Sequence, residues 1–173
     1  MSTSRRIFLL RHAKSAWGLD VPDHERPLSG RGRRDSAALG QLLAERHVNP
    51  DLVWCSTAVR ARETWERAVA AGASAGTVQY DDHLYEAVAH ELVKVLRKTP
   101  DDVRTVLLIG HSPAVPELVD RLAPRKGHKN LWKRMDEKFP TSGLASLDYD
   151  GNWADLSKQS ARLTDFDVPR GQK

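Results

Sequence analysis

Cysteine is nearly missing from this sequence: Cys55 is the single example in 173 residues. A disulfide framework is therefore impossible, and so is a cysteine-based zinc site. Such a chain suits a reducing compartment, and a cytoplasmic location is expected. Long apolar runs are missing too. Stretches such as TVLLIG at 105–110 are strand-sized, against the roughly 20 residues that a membrane helix needs. No membrane is expected as a partner. A Gly-rich loop of the GxxxxGK[ST] type does not occur, which argues against nucleotide binding of that class. There is no internal repeat, low-complexity segment or linker, so a single domain over 1–173 is expected, as a monomer. A large excess of one charge is also lacking, since the net charge is +4. That mild basic bias suits an anionic substrate and makes nucleic acid an unlikely partner.

Three apparent motifs fail on inspection of their residues. SRRIFLL at 4–10 resembles a twin-arginine export signal, but its apolar stretch stops at Arg11 and is followed by His12 and Lys14. Cys55 and Arg60 make C-x4-R, where a cysteine phosphatase needs C-x5-R, so Cys55 reads as a small buried hydrophobe. His90-Glu91 begins an HExxH motif, but Lys94 stands at the second histidine position.

What is present is an alternation of strands and helices. Residues 5–10 read as a buried strand. Ser29 caps a helix over about 30–47, which Asn49-Pro50 ends. LVWCS at 52–56 is a second strand, and 57–72 a helix closing at Gly72. Strands at 77–80 and 105–110 follow, with helices at 91–98 and about 114–122. GLASLDYD and NWADLS, meeting at Asp150-Gly151, read as a late hairpin, and the tail from Asp165 as loose. This order predicts an α/β fold: a three-layer α/β/α sandwich with a mainly parallel central sheet and an antiparallel edge.

In such sheets ligands bind beyond the carboxyl ends of the strands. The first strand ends at Arg11-His12. The second ends at Ser56, and the helix after it carries Arg60 and Arg62. The 105–110 strand ends at Gly110-His111-Ser112. Three segments thus deliver two histidines and several arginines to one edge. A guanidinium offers a rigid fork of donors for phosphate oxygens, and helix N-termini add backbone N–H groups. The pattern predicts a phosphoryl site with His12 as nucleophile and Arg11, Arg60 and His111 around the transferring group. Crowding by arginine is expected to lower the imidazole pKa. Glu86, in LYEA, is the candidate general acid, ahead of Asp81 and Asp82. Ser15, Arg26 and Ser112 are candidate substrate contacts. Arg62 is expected to pair with Glu66 instead. The segment 121–138 holds seven basic residues with Trp132 interleaved. It reads as a solvated, partly mobile flap, or as a surface for an acidic or phosphorylated protein or RNA.

LLRHAKS, STAVRARET and LIGHSP resemble three signatures of the histidine phosphatase superfamily, which includes the phosphoglycerate mutases. RHAKS and the later KFPTSGLASL resemble its small phosphohistidine phosphatase branch, called SixA-like. The resemblance covers almost the whole chain and implies a phosphoglycerate mutase-like fold. It also implies that His12 is phosphorylated and then hydrolysed by water, that Arg11, Arg60 and His111 surround the phosphate, and that neither metal nor cofactor is needed. Many relatives carry RHGxSxxN; Gly18 takes the last position here and removes one side-chain contact. The expected activity is that of a phosphatase, on a phosphorylated protein, through phosphohistidine, or on a small phosphate-containing substrate. The alternatives are a phosphomonoesterase or mutase-type enzyme, and a non-catalytic phosphate- or RNA-binding module.

Overall fold

A computed structural model describes residues 4–171. In chain order it holds β1 (Ser4–Arg11), α1 (Gly30–Glu45), β2 (Leu52–Ser56), α2 (Val59–Ala70), β3 (Thr77–Asp81), α3 (Ala89–Arg97), β4 (Thr105–Gly110), α4 (Ala114–Leu122), α5 (Lys129–Glu137), β5 (Leu144–Asp150) and β6 (Ala161–Asp167). The strands form one sheet in the order β3-β2-β4-β1-β5-β6. The first four are mutually parallel, while β5 and β6 add an antiparallel edge.

The central strands are apolar at nearly every position because both sheet faces are covered. Ile7, Leu9, Val106 and Leu108 point into one core with α3, α4 and β6. Phe8, Leu10, Leu107 and Ile109 point into the other, with Leu39 and Leu43 of α1 and Trp65 of α2. This is the expected layered sandwich. The chain leaves β1 toward the α1 face and leaves β4 toward the α4 face. The neighbouring ends of these two strands therefore open a crevice.

Two expectations change, and the basic segment, exposed as expected, gains a helix. The partner of β5 is β6, not NWADLS; Trp153–Asp155 is a 3-10 turn instead. Trp153 is fully buried, with its indole N–H on the Val103 carbonyl at 2.8 Å, so this stretch plugs a core. Residues 165–167 are not loose, because alternation through Leu163 and Phe166 carries them into β6. The basic segment contains the helix α5, which buries Trp132 and Met135. There Arg125 is held by Asp120 at 2.8 Å and Asp136 at 2.6 Å, and lies 4.6 Å from the Trp132 ring centre.

The α1–α2 contact is close enough for backbone to meet backbone. A Cβ on Gly40 would stand 2.1 Å from the Ala68 carbonyl oxygen. Helix propensity alone favours Gly→Ala by about 1 kcal/mol. Here the clash reverses the sign, and Gly40→Ala is expected to destabilise by about 1–3 kcal/mol, read by urea or thermal unfolding.

Candidate active site

The site grows from the pairing of β1 with β4. Arg11 stands opposite Gly110 in the parallel register. The next residues, His12 and His111, therefore leave the sheet side by side. The His12 backbone N–H still bonds the Gly110 carbonyl at 3.0 Å. The two imidazole centres are 5.0 Å apart.

His12 is buried, and its Nδ1 lies 2.7 Å from the Ala13 carbonyl oxygen. A carbonyl only accepts, so Nδ1 carries the ring hydrogen and the lone pair sits on Nε2. Arg60 agrees with that tautomer, donating Nε–H to His12 Nε2 at 3.3 Å. Burial pushes the His12 pKa down to about 3; His111, Arg60 and Arg11 push the same way. The ring is neutral at pH 7. Burial also takes His111 down to about 4, with Arg60 the next contributor. Desolvation is thus a larger cause than the arginine crowding expected from sequence.

Arg11, His12, Ser15, Arg26, Arg60, His111 and Ser112 line one cavity of about 220 Å³, together with Lys14, Trp17 and Thr141. Larger hollows of about 480 and 520 Å³ lie beside β2–β3 and beside α5, and neither is lined by a histidine. Three buried nitrogens of residues lining the small cavity have no partner among the described residues: Arg11 Nε, Arg26 Nε and His111 Nδ1. Guanidiniums of Arg11, Arg26 and Arg60 lining a cavity beside a neutral imidazole fit the oxygens of an incoming phosphoryl group. Among the described residues no group of three or more His, Cys, Asp or Glu is arranged to hold a metal ion.

Asp23 was not foreseen. It sits in the loop between β1 and α1 and takes Arg26 NH2 on Oδ1 at 3.0 Å. Its Oδ2 takes Arg60 NH2 at 3.1 Å and the Tyr85 hydroxyl, while its own carbonyl takes Arg60 NH1 at 2.8 Å. The Tyr85 hydrogen bond, followed by those of the two arginines, holds the Asp23 carboxyl well below its usual range. One ionised carboxylate thus sets the angle of two guanidiniums. Arg26 also reaches Ser15 Oγ. His111 Nε2 lies 2.8 Å from Ser56 Oγ, another partner that the sequence reading passed over. Arg11 is fixed by the Phe139 carbonyl at 3.0 Å.

The acidic candidates stay outside. Glu86 is exposed, lines no part of the cavity and makes no hydrogen bond with the described residues. Asp81 receives the backbone N–H of His83, and Asp82 receives the Thr57 hydroxyl at 2.6 Å. Tyr85, the neighbour of Glu86, is the residue of LYEA that faces the site, 5.6 Å from the His111 ring centre. Arg62 is exposed and makes no ion pair with Glu66 among the described residues. The spacing Asp23-x-x-Arg26 is an i,i+3 signal that could have found the clamp.

The family model for the histidine phosphatase superfamily (branch 1) matches residues 7–105. The chain belongs to the histidine phosphatase superfamily. Its enzyme class is that of a phosphatase hydrolase. An uncharacterised protein of Mycobacterium tuberculosis is 38% identical over 162 residues, covering 93% of this chain and 100% of the relative. A solved structure from Nakamurella multipartitia, described as a proposed phosphohistidine phosphatase SixA, is 33% identical. Its TM-score is 0.81, and the match covers 97% of this chain and 98% of that one. A protein of Agrobacterium tumefaciens described in the same way is 31% identical with a TM-score of 0.75, covering 94% and 97%. This superfamily member is SixA-like within the wider phosphoglycerate mutase-like fold.

The depressed histidines give folding a pH dependence of definite sign. Between about pH 4 and 6.5 the unfolded chain binds protons at positions 12 and 111 that the folded chain refuses. Stability therefore rises with pH across that window. Replacing both, as His12→Asn with His111→Asn, is expected to flatten that slope in urea titrations run at a series of pH values.

Proposed function

We propose that this phosphatase removes phosphoryl groups from phosphohistidine through a phosphoenzyme on His12. The Nε2 lone pair forms a bond to phosphorus while the substrate's P–N bond breaks and its electron pair departs with the leaving nitrogen. Arg11, Arg26 and Arg60 neutralise the equatorial oxygens, beside the neutral ring of His111. Nδ1 keeps its hydrogen on the Ala13 carbonyl throughout, so the phosphorylated ring is a cation and a good leaving group. Water then attacks phosphorus, the P–N bond to His12 breaks, and dihydrogen phosphate leaves both of the water's hydrogens accounted for. The neutral ring with Nδ1–H is restored.

One observation carries the choice of substrate: among the described residues no carboxyl group lines the cavity. Asp23 nearby is held ionised and is a poor acid. An alkoxide needs its proton on the bridging atom itself, inside the pocket. An imidazole can take it on the nitrogen remote from phosphorus, from solvent, at a pKa near the ordinary ~6.5. The SixA description of the two structural relatives supports the same reading.

The test is a substrate panel with acid-labile phosphoenzyme trapping. Wild type is expected to hydrolyse phosphohistidine and phosphoramidate far faster than alkyl phosphates. His12→Ala should lose both turnover and label. A preference for alkyl esters would overturn the assignment. Arg60→Ala is expected to lower kcat/KM by about 100-fold or more, because it removes both a phosphate contact and the donor on His12 Nε2. Glu86→Gln should leave kcat within about twofold of wild type, measured on phosphoramidate; a large loss would restore Glu86 as the acid.

A further inference from the structure

Trp17 is 71% exposed, an unusual amount of apolar surface to leave in water at the mouth of a catalytic cavity. It lines the same cavity as His12. The Arg26 guanidinium carbon lies 3.7 Å from the indole ring centre and covers one ring face. The opposite face is open. The backbone beneath is anchored, since Ser15 bridges to Leu28 and the Ala16 N–H bonds the Pro27 carbonyl at 2.8 Å. Trp17 therefore leaves a fixed point, one residue beyond these ties, braced by a guanidinium that Asp23 and Ser15 hold in turn.

We infer that Trp17 is a specificity-determining residue, whose free face stacks on the planar imidazole of the leaving group while phosphorus faces His12. The inference rests on the phosphohistidine reading and deepens it. A phosphoryl group held by Arg11, Arg60 and His111 places its leaving atom on the side away from His12 Nε2, as in-line transfer requires. In a cavity of about 220 Å³ the phosphoryl group takes the floor, and the leaving ring reaches the rim where Trp17 stands. A flat apolar face suits an aromatic ring and gives nothing to an amine or a short alkyl chain. Arg26 stiffens the indole, so little side-chain freedom is lost when the ring stacks.

Two substrates with the same P–N bond separate ring recognition from phosphoryl chemistry: phosphoimidazole, which has the ring, and phosphoramidate, which has none. For Trp17→Ala, kcat/KM on phosphoimidazole is expected to fall about three- to tenfold, mainly through KM, with phosphoramidate unchanged within about twofold. Trp17→Phe should restore most of the loss. Leu19→Ala, an exposed apolar change in the same loop, should alter neither substrate. Equal losses on both substrates in Trp17→Ala would mean a loosened loop, and no loss on either would mean an idle side chain; each overturns the inference. Failure of the wild type on both P–N substrates, with good turnover of an alkyl phosphate, would overturn the phosphohistidine reading beneath it and the Trp17 assignment with it.

Discussion

The parallel pairing of β1 with β4 is the constraint on which the site depends. Opposition of Arg11 and Gly110 fixes where both histidines emerge, and the divergence of the following chain to opposite faces opens the space between them. A slip of one residue would turn one imidazole into a core. The alternation of Ile7, Phe8, Leu9 and Leu10 between two packed faces forbids that slip. The same apolar run that makes β1 a central strand therefore aims its last residues.

Onto this frame the molecule adds a charge arrangement with an internal counterweight. Guanidiniums from Arg11, Arg26 and Arg60 crowd two imidazoles that burial keeps neutral. Left alone, such cations would splay apart. Asp23 gathers two of them, and Tyr85 holds the carboxylate. The Ala13 carbonyl does a comparable service for His12 by deciding which nitrogen keeps its hydrogen. Positioning here comes as much from main-chain and supporting groups as from the residues that line the cavity.

Much of this was legible in the chain. Three of the four parallel strands, β1, β2 and β4, announced themselves through apolar runs, and His12 and His111 through their place directly after two of them. What escaped depends on distance in space. Asp23 lies in a polar loop with no periodicity, and its partner Arg60 is on a different helix. Glu86 looked suitable by position after β3, but the 3-10 turn at Asp82–Leu84 presents Tyr85 inward and leaves Glu86 outside. The late hairpin was misread because NWADLS carries the alternation of a strand, while its Trp153 serves as a plug under Val103. The basic segment is exposed, as its charges suggested, but sequence shows neither that Trp132 is buried nor that two aspartates hold Arg125.

Three of the four cations lining the cavity, Arg11, Arg26 and Arg60, are guanidiniums, which keep their charge at every physiological pH. Their attraction for phosphate oxygens cannot be switched off once the reaction is over. Free inorganic phosphate, the end product, meets the same donors that received it as a substituent. Its departure is then expected to compete with bond breaking as the slow event, so that the ambient phosphate level would act as a brake on throughput.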